Sequence, residues 1–312
     1  MPLFTALPVG LKNYVQITHT EEFVKIFNYL SSLQTDILYN HSRIYPFAYL
    51  NVGQYSLYLN KDFCEDKIIP VVKHFGSKPQ YTLYTPHASI DAILSAVYDL
   101  DKVSSVPVEI TDVDKAYAEN FLSQTVGWEK KKTSDDVIQQ ADKLTELKGR
   151  NFSSLRNTLK HVREDLRPLN VPLRPYNYQD ALQVFNQWKE TQGQRYFRVT
   201  IGRDLRLIEE YKDRTDFEDF FGFIHYIADK PVACSFGCTS AKDPSWGVDV
   251  TCKALPSYKG MGDFAFIYLM QALNTKGVKL VNDSGGQGNV LKNKLKFGPL
   301  KTIPMYDLAR KS

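Results

Sequence analysis

The segment LPSYKGMGDF at residues 255–264 decides how the second half of the chain folds. It follows WGVDVTCKAL at 246–255, whose alternation of apolar and polar residues predicts a strand. After it, DFAFIYLMQALNTKG at 263–277 has helical periodicity and ends at a glycine, as helices often do. A strand that enters a helix through such a turn presents backbone N–H groups to an anion. Gly260 and Gly262 therefore mark a candidate anion site.

Further elements surround this turn in a fixed order. FFGFIHYIA at 220–228 and VACSFGCTS at 232–240 predict two strands, and residues 229–230 between them predict a hairpin turn. VKLVND at 278–283 predicts another strand, and VLKNKLKF at 290–297 predicts a short helix. The second half is therefore expected to be a sheet flanked by helices.

The first half of the chain predicts a mixture of helices and a mostly paired sheet. A polar segment at 129–136 predicts a surface loop, and 137–167 predicts one long helical stretch broken near Gly149. The other predicted helices are 20–34, 89–99, 178–192 and 203–212, and the other predicted strands are 46–52, 55–60, 81–85 and 106–111, with a turn at 53–54.

The order hairpin, strand, glycine turn, helix, strand, helix resembles the GNAT (N-acetyltransferase) superfamily, in which a strand runs through P-x-Y-R-G-x-G into a helix. With Lys259 in the basic position, Phe264 stands where a second small residue belongs. With Gly260 and Gly262 as the two glycines, Ser257 takes the basic position. This departure from the CoA-binding pattern points to a narrower family.

That family is the C-terminal domain of bacterial phosphatidylglycerol lysyltransferases. LTELKGRNFSSLRN at 144–157 is similar to its L-x-G-R-x-F-x-x-x-R-N signature. Residues 281–283, followed by the segment 291–299 with Lys294 in it, are similar to its closing strand, acidic turn and helix. The resemblance implies two tandem GNAT-like domains of the α/β (α+β) class, each a mixed, mostly antiparallel sheet flanked by helices. It also implies an active site in the C-terminal repeat and a degenerate N-terminal repeat.

The predicted domains follow from this resemblance and from three prolines between 168 and 175, which punctuate the chain. We expect a degenerate N-terminal GNAT-like domain at 1–140, a basic helical connection at 141–175 and a catalytic GNAT-like domain at 176–312.

Three residues are the candidate catalytic groups. Asp249 lies in the middle of a predicted strand, where it either orients an amine, acts as a base or faces solvent. Asp283 lies at the C-terminal end of a strand, where ligand sites of α/β proteins gather. Lys294 matches the family lysine and either stabilises an oxyanion, binds a carrier phosphate or is an ordinary surface lysine. His225 is a weaker candidate base, because a histidine within a strand is more often part of the core.

A second set of residues is expected to hold the acyl carrier. Most of these residues belong to the turn at 255–264. The other two are arginines of the basic segment at 148–167, which either bind phosphates of the carrier or pack the junction between the domains. The candidate binding residues are Tyr258, Lys259, Gly260, Met261, Gly262, Arg150 and Arg156.

Composition narrows the class of protein. The 312 residues carry a formal charge of +4, with 43% hydrophobic and 24% charged residues, which indicates a packed globular chain and permits an anionic partner. Cys234 and Cys238 form a lone C-x3-C without a second ligand pair, so no metal site is expected. No apolar run reaches about 18 residues, so no transmembrane helix is predicted. These features favour a cytoplasmic location with reduced thiols.

Three functions remain open at this stage. The resemblance implies an acyltransferase that moves an aminoacyl group from a charged tRNA to an amine or hydroxyl, with no permanently bound cofactor and an unidentified acceptor. The turn at 259–262 is also compatible with an acyl-CoA-dependent N-acetyltransferase acting on a small molecule, protein or modified nucleobase. The basic segment at 148–167 alternatively indicates a non-catalytic GNAT pair that binds nucleic acid.

Overall fold

The structure is a computed structural model, and it describes residues 14–16, 55–60, 71–74, 80–84, 89–103, 105, 107–192, 220–239 and 243–311. The chain forms two compact units, one of residues 1–134 with 304–312 and one of residues 135–303. The segment 141–175 therefore lies within the second unit, and the last strand returns to the first. The helices expected at 20–34 and 203–212, the strand at 46–52 and the turn at 53–54 lie outside the described residues.

The described residues form twelve strands and seven α-helices. The strands are β1 (Tyr14–Gln16), β2 (Tyr55–Asn60), β3 (Val71–His74), β4 (Gln80–Tyr84), β5 (Val108–Asp114), β6 (Trp128–Gln140), β7 (Leu169–Pro172), β8 (Phe220–Ile227), β9 (Lys230–Thr239), β10 (Trp246–Ala254), β11 (Leu280–Gly286) and β12 (Lys301–Arg310). The helices are α1 (Ile90–Val103), α2 (Lys115–Gln124), α3 (Ala141–Glu146), α4 (Ser153–His161), α5 (Tyr178–Gln192), α6 (Met261–Thr275) and α7 (Gly288–Leu295).

In the first unit the strands follow the order β1-β2-β3-β4-β5-β12, and the pair β4–β5 is parallel. The apolar face of α1 packs on this sheet through Ile93 and Leu100, which are buried with Leu83 of β4. The helix α2 begins at Asp114, whose carboxylate accepts a hydrogen bond of 2.7 Å from the N–H of Tyr117 and caps the first turn.

In the second unit the order is β6-β11-β10-β9-β8-β7, and the pair β10–β11 is parallel. Alternate residues of β8 and β9 face opposite sides of the sheet. Ile224 and Phe236 pack with α5, whereas Phe223 and Ala233 pack with α6. Gly237 lets α6 approach closely, because a Cβ there would lie 3.0 Å from a Leu269 methyl carbon. A mixed α/β fold with a helix on each face of the sheet is therefore confirmed.

The prediction for 129–167 was wrong in two places. The polar segment 129–136 is part of β6 and not a loop, because its end pairs with β11 at Asp135↔Gly286. Of the long helix expected at 137–167, residues 137–140 belong to β6, and the rest divides into α3, a 3₁₀ turn, α4 and a π turn at Val162–Leu166. Leu147 and Gly149 have φ of 49° and 97°, and these left-handed or extended conformations stop helix propagation between α3 and α4.

Candidate functional site

The strands β10 and β11 separate at the point where the candidate carboxylates lie. They pair at three positions, and the last pair is Val248↔Asn282. Immediately beyond it, the register of β10 against β9 shifts between Asp249 and Thr251. The register of β11 against β6 shifts after Asn282 as well. Two parallel strands that separate part-way along open a crevice between their C-terminal portions, and ligand sites of α/β sheets usually lie on the C-terminal side of the strands.

Asp283 is held in this crevice by two neighbouring side chains. It is 3% exposed and follows Asn282, the last residue of β11 that pairs with β10. Nζ of Lys294, from α7, lies 2.8 Å from its Oδ1 and also bonds to its main-chain carbonyl oxygen. Nε2 of Gln139, from β6, donates to its Oδ2 at 3.1 Å. Both carboxylate oxygens are therefore satisfied, as a buried charge requires.

Asp249 is buried beside Asp283 and lacks the same support. It is 8% exposed, and its Oδ1 has no hydrogen-bond partner in the described part of the chain. Burial and then the negative charge of Asp283 raise the pKa of Asp249 to about 8, although Lys294 acts in the opposite direction. A carboxyl group with a pKa near 8 exchanges its proton near neutral pH, which is the property of a general acid or base. The structure thus brings Asp249, Asp283 and Lys294 into one site.

The turn at 255–264 is packed into the second unit. Gly260 has φ of 86° and forms the N-cap of α6, and a Cβ there would lie 2.7 Å from Cγ2 of Thr158 in α4. The side chain of Met261 is fully buried in the core. Gly262 is exposed, and an added Cβ would meet only Ala254 at 3.8 Å. A glycine is therefore needed at position 260 because there is no room for a Cβ and because the backbone is left-handed, independently of any ligand that the turn binds.

The charges around this turn are mixed. Asp263, in the first turn of α6, pairs with Lys296 and occupies the helix end that favours negative charge. Lys259 is exposed, and no hydrogen bond or ion pair joins it to the described residues. Tyr258 is half-buried, and its N–H donates to the carbonyl oxygen of Leu255 at 3.1 Å. Of the candidate binding residues in the turn, Lys259 and Gly262 are therefore the exposed ones.

The two arginines of the basic segment differ in their contacts. Nη1 of Arg156 donates to the carbonyl oxygens of Leu147 and Gly149, at 2.6 and 2.8 Å. Arg150 is exposed and makes no ion pair with any residue that the structure describes. Arg156 therefore stabilises the turn after α3, whereas the side chain of Arg150 is exposed to solvent.

His225 belongs to the core beneath α6. It is fully buried, and burial lowers its pKa to about 3, so it is neutral at physiological pH. Its Nδ1 lies 2.6 Å from Oδ1 of Asn170, and its ring meets Phe264 and Tyr268 edge-on. It therefore acts as a core histidine that forms a hydrogen bond with β7, and it makes no hydrogen bond to Asp249 or Asp283.

One residue of the site was not found from the sequence. Gln139 donates to Asp283 and, at 3.3 Å, to the main-chain carbonyl oxygen of Lys294, so it joins the strand to α7. The signal in the sequence was a glutamine two residues after Val137 in VIQQ at 137–140, where the alternation of a strand places both side chains on the same face. In the described ranges, no group of three or more His, Cys, Asp or Glu side chains is arranged to hold a metal, and no helix is long and apolar enough to cross a bilayer.

The fold and the crevice define a tandem GNAT-like protein. The sequence matches the profile of the phosphatidylglycerol lysyltransferase C-terminal domain over residues 72–297. Since this match covers more than half of the chain, the protein belongs to that transferase family. No curated protein matches the sequence significantly.

Solved structures agree with this assignment of the fold. A conserved protein of unknown function from Bacteroides thetaiotaomicron is 17% identical with a TM-score of 0.72, covering 96% of this chain and 99% of that one. L-PGS from Bacillus licheniformis is 13% identical with a TM-score of 0.66, covering 96% and 95%. A tandem GNAT protein from the clavulanic acid biosynthesis pathway is 9% identical with a TM-score of 0.50, covering 96% and 98%.

Proposed function

We propose that the protein is an aminoacyltransferase, which moves an aminoacyl group from a charged tRNA to an amine or hydroxyl of an acceptor molecule. The observation that carries this proposal is the buried Oδ1 of Asp249, unpartnered among the described residues, next to the Asp283–Lys294 pair where β10 and β11 separate. An aminoacyl ester carries an ammonium group. Because the charge of Asp283 is compensated by Lys294, the ionised form of Asp249 gives the crevice a net negative charge, which suits that ammonium group better than it suits a neutral acetyl group.

Each residue has a role in the proposed reaction. The carboxylate of Asp249 takes the proton of the acceptor as its nitrogen or oxygen attacks the ester carbonyl carbon. The ammonium group of Lys294 stabilises the oxyanion of the tetrahedral intermediate, and Asp283 keeps that ammonium group in place. The C–O bond to the tRNA then breaks, and the proton passes from Asp249 to the departing ribose oxygen.

The proposal is tested with hydroxylamine, because this small nucleophile replaces the unidentified acceptor. The protein is incubated with tRNA charged with radiolabelled lysine, and the lysyl hydroxamate formed is measured against time. We expect formation to depend on the protein and to fall about 10²–10⁴-fold in Asp249→Asn, the usual contribution of a general base. Asp165→Asn is the matched control, because Asp165 is exposed and pairs with His161 on the surface. Equal rates in the two variants would refute the proposal.

An acyl-CoA-dependent acyltransferase is the second candidate. It is favoured by the accessible residues Lys259 and Gly262 at the N-terminus of α6, where backbone N–H groups attract a phosphate. The carboxylate of Asp263 at the same helix end works against it. Acetyl-CoA at 100 times its Kd would stabilise the folded protein by about 2.7 kcal/mol. A rise in melting temperature with acetyl-CoA, absent in Lys259→Gln, would support this candidate.

A further inference from the structure

The second unit contains a cavity that the Asp249–Asp283 site does not use. Its volume is about 390 Å³, and it lies between the C-terminal end of the π turn, β7 and one face of α6. Its polar side is formed by two arginines and two amides, and its apolar side by aromatic rings of α6. The residues that carry the argument are Arg163, Arg167, Asn170, Phe264, Tyr268 and Gln271.

The two arginines are available to an anion. Arg163 is exposed, and no hydrogen bond or ion pair joins it to any part of the chain that the structure describes. Arg167 has φ of 47°, a left-handed conformation, and its Nε donates to the carbonyl oxygen of Glu164 at 2.9 Å. That bond orients the guanidinium group and leaves both Nη atoms for a ligand. The nearby carboxylates of Glu164 and Asp165 already pair with Lys160 and His161.

The apolar side of the cavity consists of stacked aromatic rings. Phe264 and Tyr268 lie one helical turn apart on α6, with centroids 6.2 Å apart and planes 27° apart. Tyr268 is half-buried, so part of its surface is open to the cavity. Since aromatic side chains stack with the bases of nucleic acids, this wall suits a flat ring system.

Two amide side chains complete the lining. Because the neutral His225 donates its Nδ1 proton to Oδ1 of Asn170, the Nδ2 group of Asn170 is not used by that contact. Gln271, two helical turns after Phe264, supplies a second amide. Amides both donate and accept hydrogen bonds, and they are the side chains that pair with the edges of bases.

We propose that this cavity is a nucleotide-binding site, distinct from the transfer site. The phosphate binds Arg163 and Arg167, the base stacks on the open part of Tyr268, which the buried Phe264 supports from behind, and the amides of Asn170 and Gln271 bond to the edge of the base. The volume lies within the range of about 300–1,000 Å³ that small-molecule sites occupy. The same chemistry is present in a free nucleotide and in the last nucleotide of a single-stranded RNA end.

Calorimetric titration of the full chain with AMP, adenosine and inorganic phosphate tests the site. We expect AMP to bind at least ~10-fold more tightly than adenosine or phosphate alone, since the contacts to its phosphate and the contacts to its base act together. Arg163→Gln is expected to weaken AMP at least ~10-fold, as loss of a charge-assisted contact does. Lys189→Gln makes the same charge change on the exposed surface of α5, against the other face of the sheet, and should leave AMP binding unchanged.

Titration with the trinucleotide C-C-A distinguishes the two possible sources of the nucleotide, a free molecule and an RNA end. If AMP binds and Arg163→Gln weakens that binding, the ligand of the cavity is a free nucleotide. If C-C-A binds in the same Arg163-dependent way and AMP does not, the ligand is the end of an RNA. The proposal is overturned if neither probe binds, or if Arg163→Gln and Lys189→Gln bind both probes as the unaltered protein does. Since binding is measured without transfer, a protein that fails to make lysyl hydroxamate can still pass this test.

Discussion

Nζ of Lys294 lies 2.8 Å from Oδ1 of Asp283, and only 17% and 4% of the two side chains are exposed. This pair joins α7 to the middle of β11, so it links the last helix of the second unit to the crevice. Removing one partner of a buried ion pair leaves the other charge without compensation, at a cost of about 3–5 kcal/mol. We therefore expect Lys294→Met to lower the free energy of unfolding in urea by about that amount.

Lys292→Met is the control for this change. Lys292 belongs to the same helix and is exposed, so its loss should change stability by less than about 0.5 kcal/mol. The double change Lys294→Met with Asp283→Asn should restore part of the lost stability, because the buried charge is then absent. A Lys294→Met protein as stable as Lys292→Met would contradict the assigned ion pair.

Asp249 should determine how the reaction depends on pH. Its carboxylate is the active form, and its pKa is about 8, so kcat/KM should rise about tenfold per pH unit from 6 towards 8 and level above it. In Asp249→Asn the rate should be low and nearly independent of pH. Hydroxamate formation measured between pH 6 and 9.5 tests this, after correction for ionisation of hydroxylamine. A profile in the unaltered protein that is flat over this range would exclude Asp249 as the base.

Gly260 and Gly277 offer a comparison of packing with backbone strain. Both have left-handed φ, 86° and 90°, but an added Cβ meets Thr158 at 2.7 Å only at Gly260, whereas nothing lies within 4 Å at Gly277. Gly277→Ala should cost about 1 kcal/mol from strain. Gly260→Ala should cost about 1–3 kcal/mol more, because the core is then overpacked. Thermal and urea unfolding measure the difference.

Thr158→Ser refines this comparison. Serine keeps the hydroxyl that donates to the carbonyl oxygen of Ser154 at 3.1 Å, and it removes the Cγ2 that the new methyl group would strike. Added to Gly260→Ala, it should recover part of the loss, while it should not help Gly277→Ala. If Thr158→Ser recovers nothing, α4 does not pack against the turn as described.

His225 should make the protein less stable in acid. Its pKa of about 3 in the folded state is lower than its value of 6.5 in the unfolded chain, so the unfolded state binds more protons below pH 6.5. This contribution to stability is complete above pH 6.5 and is lost as the pH falls towards 3. Between pH 7 and 5 the loss from this group should be about 2 kcal/mol.

His225→Phe removes this titration. The variant should be less stable at pH 7, since Asn170 loses its partner, but its free energy of unfolding should change less between pH 7 and 5. Identical slopes in the protein and in His225→Phe would show that another group causes the acid sensitivity.

The elements around the crevice were predictable because their signals are local. The alternation in β10, the glycine turn and the apolar face of α6 each follow from neighbouring residues. The strand that carries Asp283 was also predictable, but its bounds were not: the expected strand 278–283 is β11 at Leu280–Gly286, so Asp283 lies in the middle of the strand, just after the last pair with β10.

Pairing between distant segments was not predictable in the same way. The segment 129–136 is polar, and only its partners across the sheet make it a strand. Gln139 likewise reaches Asp283 across 144 residues of sequence, so no local pattern reveals its contact. The break of the expected helix at Leu147 depends on an unusual backbone conformation that leucine adopts only when the surrounding packing imposes it.

The contacts of Arg156 affect how this family can be recognised. Its guanidinium group holds the carbonyl oxygens of Leu147 and Gly149, so three positions of the signature at 144–157 encode one bend in the main chain. A genome search that relies on these positions will collect proteins with the same bend, whatever molecule each of them modifies. Whether such proteins share the proposed transfer chemistry should instead be judged from the residues at positions 249, 283 and 294.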